Sequence, residues 1–364
     1  VTLDGILLLL VGVALLAGGA ELLVQGASRL ALSLGISPLV VGLTIVGYGT
    51  SAPEVAVSLS AALEGRTDMA MGSVVGSNIV NVLLILGASA LLAPLVIAKR
   101  LVRVDVPLMI FISIVCLIMA RDGALSRLDG HLLLGGAIVY TVFAVATGRR
   151  EKDAEPAGAT APVDGRLRNA VVDAAKIVAG ITLLVHGADL LVDSATRIAK
   201  HFGVSDMIIG LTVVAVGTSL PELATSLMAA FRGEREIAAG NVIGSNIFNI
   251  LLVLGATASI APAGVPVAPA ISAFDLPVMV AVAIACLPIF ARGHVIARWE
   301  GAVFLFYFVA YFAYLALASA KHDALPRFSS AMMFFVIPLT VITLAVIFVR
   351  NVRGARRAAA VENG

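Results

Sequence analysis

Two acidic residues stand inside apolar stretches at repeated positions. Glu54 closes the segment Gly49-Thr50-Ser51-Ala52-Pro53-Glu54, and 168 residues later Glu222 closes Gly217-Thr218-Ser219-Leu220-Pro221-Glu222. A carboxylate placed in hydrocarbon costs roughly 2.5–3.5 kcal/mol on insertion scales, and intramembrane acids are by default functional. A second polar cluster repeats with the same offset: Gly76-Ser77-Asn78 with Asn81, and Gly244-Ser245-Asn246 with Asn249. Ser77 and Asn81 are four residues apart and share a helix face, as do Thr50 and Glu54 if the helix restarts there. The inventory is carboxylate, hydroxyl and amide oxygen, without His, Cys or Lys. Such oxygens suit a hard cation, Na⁺ or Ca²⁺, and not zinc or copper. Pro53 and Pro221 block the preceding helical hydrogen bonds, and Gly49 and Gly217 ease the break. Carbonyls near Gly47 and Ala215 are therefore expected to lack helical partners, which at membrane depth is tolerated only where they line a cavity or meet a ligand.

Structural readings compete with these. Ser51-x-x-Glu54 and Ser219-x-x-Glu222 fit a helix capping box, although Gln could cap without the charge. Asn81 and Asn249 could serve as interhelical hydrogen-bonding groups, and Ser77 and Ser245 as small residues for close packing; Gly72, Gly76, Gly240 and Gly244 form small-xxx-small pairs best explained by packing. Asp105-Val106-Pro107 and Asp275-Leu276-Pro277 have the pattern of helix N-caps. Glu21 and its repeat Asp189 lie far along long apolar segments, where an interhelical pairing or an interfacial role is expected, with an ion-pathway role as the alternative. His186 and Asp193 correspond to Gly18 and Gln25, so neither belongs to a repeated titratable pair.

The elements that position these groups follow from composition. Apolar residues make up 60% of the chain and charged residues 13%, with a mean hydropathy of +1.04. A soluble domain carries about 25% charged residues. Long apolar runs mark membrane helices at about 4–30, 38–63, 69–92, 104–120, 131–148, 171–199, 206–231, 237–260, 273–291, 299–319 and 330–349. The first is read as a span and not as a cleaved leader, because its Gly19-Ala20-Glu21-Leu22-Leu23-Val24 returns as Gly187-Ala188-Asp189-Leu190-Leu191-Val192. Cys116 and Cys286 lie within spans and imply no disulfide framework. With the polar stretch from Arg149 to Arg168 placed in the cytoplasm, Lys99, Arg100, Arg103, Arg232, Arg235, Arg292, Arg298 and the tail arginines also fall inside. That bias puts the N-terminus outside and the C-terminus inside, in a plasma (inner) membrane.

Between Gly49–Gly87 and Gly217–Gly255, 23 of 39 positions are identical, including Pro, Glu, Asn and Ser, which chance likeness between apolar helices would not match. Five spans separate the start of one repeat from the start of the next, so the second copy enters the membrane in the opposite direction. Inverted repeats with interrupted helices are how many secondary transporters build a midplane site. The expected fold is an all-α polytopic membrane protein with a 5+5 inverted repeat and an eleventh C-terminal helix. Its parts are residues 1–148, a cytoplasmic linker at 149–169, a second repeat at 170–320, and 321–364 holding the extra helix and an Arg-rich tail.

At the two G-T-S-x-P-E and two G-S-N-x-x-N motifs, the chain resembles the cation/Ca²⁺ exchanger superfamily, most closely its prokaryotic sodium/calcium exchanger branch. The resemblance covers roughly residues 4 to 319. It implies that helices 2, 3, 7 and 8 surround the ions while helices 1 and 6 slide against them in alternating access. It makes Glu54 and Glu222 the central ligands, completed by Thr50, Ser51, Ser77, Asn81, Thr218, Ser219, Ser245, Asn249 and the carbonyls of Gly47 and Ala215. Members of the family often carry Asp where this chain has Asn249. The site charge is then −2, matched by one Ca²⁺ or two Na⁺, and a third Na⁺ would rest on neutral oxygens. The expected function is a secondary antiporter exchanging Ca²⁺ for Na⁺, not an enzyme. It would have no cofactor beyond the transported ions and no nucleic-acid partner, with lipid around a monomer. Proton-coupled exchange is the first alternative, although the G-N-x-x-E motif of proton-coupled relatives is absent. A passive channel is disfavoured by the inverted duplication, and an intramembrane hydrolase by the lack of a base beside Ser51 or Ser219.

Overall fold

The computed structural model describes residues 3–34, 36–63, 68–153, 166–203, 213, 215–342 and 345. Helices dominate, and among the described residues ten are long and apolar enough to cross a membrane. In chain order they are α1 (Gly5–Ser33), α2 (Pro38–Ser60), α3 (Ala70–Leu92), α4 (Leu101–Asp122), α5 (Arg127–Gly148) and α6 (Ala170–His201), followed after the shorter α7 (Leu220–Phe231) by α8 (Arg235–Ile260), α9 (Ile271–Phe290), α10 (Arg298–Ser319) and α11 (Leu325–Ile342). The protein is a multi-pass, all-α membrane protein. Of the span expected at 206–231, α7 is the second half, and residues 206–212 and 214 lie outside the described residues, as do residues 154–165 of the expected linker. Helical structure runs into that linker from both sides, to Asp153 and from Arg166.

The inverted duplication is written into the packing. α1 and α6 lie antiparallel and touch through backbone at two related places, Gly12 with Gly187 and Gly19 with Gly180. The 168-residue offset turns the first pair into the second. A Cβ added at Gly180 would stand 2.7 Å from both the Gly19 carbonyl oxygen and the Leu23 amide nitrogen. Only hydrogen fits there, which is how membrane helices gain dispersion contacts where hydrophobicity offers no drive.

Four two-residue strands repeat the symmetry outside the helices. β1 (Leu95–Val96) pairs antiparallel with β4 (Val295–Ile296), in the register Leu95 to Ile296. β2 (Ala124–Leu125) pairs with β3 (Val265–Pro266), Leu125 facing Val265. These ladders tie the α3–α4 loop to the α9–α10 loop on one face, and the α4–α5 loop to the α8–α9 loop on the other. Lys99, Arg100, Arg292 and Arg298 thus share a face, as the crossing count requires, while Arg121 and Arg127 share the opposite one.

The aspartate-before-proline positions are not N-caps. Each lies inside a continuing helix whose wide, π-type first turns start earlier, at Leu101 and Ile271, and neither side chain caps an amide. Asp105 instead accepts a hydrogen bond from Tyr140 at 3.1 Å and lies 3.6 Å from Arg100; Asp275 accepts from Tyr311 at 2.8 Å. With no free amides to cap, each carboxylate finds its donor on the neighbouring helix. α11 docks on α10 through Tyr307, whose hydroxyl reaches Thr340 Oγ1 at 2.5 Å.

Candidate cation site

The core of the bundle is where α2, α3, α7 and α8 cross, and it is polar. Glu54 and Glu222 are each 1% exposed. The helix carrying each acid is interrupted at the residue before the Ala/Leu-Pro pair: Ser51 has φ −83°, ψ 2° and Ser219 has φ −91°, ψ 8°. Proline two residues on supplies the cause, since it brings no amide hydrogen and its ring crowds the preceding turn. The sequence leads to a bare Gly47 carbonyl, and the structure corrects this. That carbonyl accepts the Ser51 amide at 3.1 Å and lies 3.4 Å from Thr50 Oγ1. By the i−4 rule the donor that Pro53 removes is the one owed to Gly49. In the second repeat the Ser219 amide donates to Val216 at 3.1 Å, and Ala215 opens the turn Ala215–Gly217.

The capping-box reading fails in the first repeat for a tertiary reason. Ser51 donates to Glu222 Oε1 of the other repeat at 3.3 Å. Both Glu54 carboxylate oxygens lack any hydrogen-bond partner among the described residues, and so does Glu222 Oε2. Ser77 Oγ, Ser219 Oγ, Asn81 Oδ1 and Asn249 Oδ1 share that condition. Seven buried oxygens of the four repeated motifs thus stand unpartnered, as do the hydroxyls of Ser58, Ser89 and Thr225 elsewhere on the same helices; buried polar atoms are ordinarily satisfied, and an unsatisfied one costs about 1–3 kcal/mol. Every one of the seven can offer a lone pair, and two belong to the same carboxylate. That donor set fits a hard cation. Among the described residues no three His, Cys, Asp or Glu converge, so two carboxylates set the charge.

Thr50 and Ser245 meet across the repeats at 3.4 Å. Thr50 Oγ1 is also 3.1 Å from Asn241 Oδ1, and Asn241 in turn donates to Ser226 Oγ at 2.9 Å and to the Glu222 carbonyl at 3.4 Å. Thr218, its counterpart, is only half-buried. It borders a cavity of about 350 Å³ with Pro53, Val57, Asp189, Asp193 and Pro221. Asn241 has no equivalent in the first repeat, where Ser73 stands, and it is invisible to a search for repeated residues. Asn78 and Asn246 sit inside the repeated motif, yet spacing gave no reason to prefer them to their neighbours. They join the two repeats directly: Asn78 Nδ2 donates to the Asn246 carbonyl at 3.2 Å, and Asn246 Nδ2 to the Asn78 carbonyl at 3.4 Å. The interhelical role expected as an alternative for Asn81 and Asn249 is present too. Asn81 Nδ2 donates to Asn246 Oδ1 and Asn249 Nδ2 to Asn78 Oδ1, each at 3.0 Å.

The repeated acids of α1 and α6 are treated unequally. Past the middle of α1, Glu21 forms an ion pair with Arg232 just beyond α7 and accepts from Gln25. Ser28 donates to Glu234 at 2.6 Å. On the other face the equivalents of Glu21 and Gln25, Asp189 and Asp193, are exposed and border the cavity that reaches Thr218. Interhelical pairing is therefore present at Glu21, while the exposed Asp189 shows no such pair among the described residues.

Fold and site together define a membrane transporter of cations built from two inverted repeats. The family model described as sodium/calcium exchanger protein matches residues 5–146 and 174–317, dividing the chain where the two repeats divide. The chain belongs to that family. It is 35% identical over 343 residues to the sodium/calcium exchanger MaX1 of Methanosarcina acetivorans, covering 85% of this chain and 97% of that protein. It is 42% identical over 261 residues to the inner membrane protein YrbG of Escherichia coli, covering 70% of this chain and 79% of that one. Among solved structures, the sodium-calcium exchanger NCX_Mj soaked with Na⁺ and Ca²⁺ superposes with a TM-score of 0.73 at 31% identity, over 86% of this chain and 99% of that one. Both matched segments end before α11.

Proposed function

We propose that this protein exchanges Ca²⁺ for Na⁺ by alternating access, with Glu54 and Glu222 as ligands that both ions share. The observation that carries the reading is the set of seven buried, unpartnered oxygens contributed by both inverted repeats. Thr50, Thr218, Ser51 and Ser245 complete the shell, with the Ala215 carbonyl as a further oxygen. One Ca²⁺ or two Na⁺ neutralise the two carboxylates, and only the neutral site crosses the low-dielectric barrier. Exchange then follows from mutual exclusion at one site. The arginine-rich face is cytoplasmic by the positive-inside rule, which places the cavity at Thr218 on the outer side.

Radiolabelled Ca²⁺ uptake into proteoliposomes tests the reading. Vesicles loaded with Na⁺ are expected to accumulate Ca²⁺ against its gradient, and K⁺-loaded vesicles are not. Uptake driven by an acid-loaded interior alone would replace Na⁺ by protons as the counter-ion.

The unequal treatment of Glu21 and Asp189 supports alternating access. The Glu21–Arg232 pair, with side chains 24% and 45% exposed, pins α1 to α7 on one face. A partly exposed pair of this kind is worth about 0–1 kcal/mol, weak enough to release on each cycle. A cysteine at Thr225, which is buried on α7 between Glu222 and Arg232, reports on it. Arg232→Ala is expected to speed its reaction with a methanethiosulfonate reagent added on the Arg232 side by about two- to fivefold. Cys116 and Cys286 are buried and provide a low background. An unchanged rate would remove the pair from the gate.

A further inference from the structure

Among the described residues of the polar core, Asn78 and Asn246 alone have side chains that reach the backbone of the opposite repeat and return a side-chain oxygen to a proposed ligand. Each amide nitrogen is anchored on a backbone carbonyl, Asn78 on Asn246 and Asn246 on Asn78. A carbonyl can only accept, so the orientation of both carboxamides is fixed. Their Oδ1 atoms must then face the other way, and there they receive Asn249 Nδ2 and Asn81 Nδ2 at 3.0 Å. The consequence passes one step further. Asn249 and Asn81, with their nitrogens held, keep their own Oδ1 atoms free to accept; both atoms are buried, and neither has a partner among the described residues.

We infer that Asn78 and Asn246 are positioning residues that lock the carboxamides of Asn249 and Asn81 oxygen-first toward the transported cation. The inference rests on the proposed function and adds to it residues that do not touch the ion. Its physical basis is the shape of a carboxamide. Oxygen and amide nitrogen are nearly the same size, so a free Asn can turn over at little steric cost and present two N–H donors instead of a lone pair. Toward a cation the difference is one of sign: attraction becomes repulsion. A neutral ligand therefore needs an outside group to choose its face, as metal-ligating side chains generally do. The lock is crossed between the repeats. Asn78 on α3 orients Asn249 on α8, and Asn246 on α8 orients Asn81 on α3, so each half of the site is set by the other half.

The test is a double-mutant cycle in Na⁺-loaded proteoliposomes with radiolabelled Ca²⁺. Asn78→Ala is expected to raise the KM for Ca²⁺ about tenfold, in the range found for groups behind metal ligands, with a smaller change in kcat. Asn249→Ala should do the same. The double variant Asn78→Ala/Asn249→Ala should be no worse than Asn249→Ala, because the clamp has nothing left to orient. Asn78→Ala combined with Asn81→Ala should instead multiply the two effects, since Asn81 is held by Asn246. Packing loss alone would multiply equally in both backgrounds, and that result overturns the inference. Should Asn78→Ala fail to reach the membrane folded, Asn78→Ser, polar but too short to span both partners, carries the same expectation. Should the wild type show no Ca²⁺ uptake, the Ca²⁺ reading fails by itself, and the same cycle run on radiolabelled Na⁺ exchange still decides whether Asn78 acts through Asn249.

Discussion

Glu54→Gln and Glu222→Gln are each expected to abolish Na⁺-driven Ca²⁺ uptake while leaving the protein folded and inserted. Glutamine keeps the size and one carbonyl oxygen, so packing is preserved and the charge alone is lost. The two carboxylates are buried at 1% exposure, and no third acid joins them among the described residues. Removing one leaves a Ca²⁺ complex with a net charge of +1 in a poorly solvated core. At an effective dielectric of about 20, a unit charge 4 Å from another contributes roughly 4 kcal/mol, and each 1.4 kcal/mol is about tenfold in affinity. A loss of about two to three orders of magnitude in Ca²⁺ affinity follows, beyond what uptake assays detect. Calorimetric Ca²⁺ titration of the purified variants and uptake in proteoliposomes measure it. The two variants should also differ in kind. Glu222 has one oxygen held by Ser51, whereas both Glu54 oxygens lack partners, so Ser51→Ala should weaken Ca²⁺ binding in the wild type and little in Glu222→Gln. Normal exchange by either glutamine variant would sink the shared-ligand mechanism.

Gly180→Val is expected to cost both fold stability and transport, with Gly19→Val close behind. At Gly180 the new Cβ would fall 2.7 Å from the Gly19 oxygen and the Leu23 nitrogen; at Gly19 it would fall 2.8 Å from the Gly180 oxygen and 2.9 Å from the Leu184 nitrogen. These are backbone atoms, and no rotamer change moves them aside. α1 and α6 must separate, losing close contact along the whole antiparallel seam. Overpacking of this kind costs typically about 1–3 kcal/mol. A second effect on function is expected, because in the proposed alternating-access cycle a seam of backbone against backbone would let α1 and α6 travel as one body. Gly18 is the internal control. Nothing lies within 4 Å of a Cβ built there, so Gly18→Ala should leave exchange unchanged and slightly raise helix stability. Thermal unfolding in detergent and Ca²⁺ uptake together check the pair. Equal behaviour of Gly18 and Gly180 variants would refute the seam.

Much of the site was legible because the chain states it twice. Chance resemblance between apolar helices matches Leu, Val and Ala, and a repeated Thr-Ser-x-Pro-Glu or Ser-Asn-x-x-Asn does not arise that way. That signal singles out Ser77, Asn81 and Asn249 as candidates, and the structure leaves an oxygen of each without a partner among the described residues. Asn241 escaped it, since its counterpart is Ser73 and a repeat search is blind to a residue present once. The aspartates at 105 and 275 were misjudged for a different reason. A local pattern, Asp-x-Pro, looks like a helix start, but the wide turns beginning at Leu101 and Ile271 had already started the helix. The tyrosines that claim the two carboxylates are 35 and 36 residues away in the chain.

The sequence by itself determined the class of protein, the inverted duplication and the acids at its centre. Each of these is a property of composition or of a pattern repeated along the chain, and hydrocarbon tolerates a buried carboxylate only where it is used. Tertiary structure alone decided the partners. Ser51 could have capped its own helix with Glu54, and it reaches Glu222 instead; Asn78 could have faced lipid or a neighbour on its own repeat, and it holds Asn246 and Asn249. The reason is that a hydrogen bond depends on which atom lies about 3 Å away. In a site made from two inverted copies that atom belongs to the other copy, some 165–171 residues distant in the chain, where no local pattern can report it.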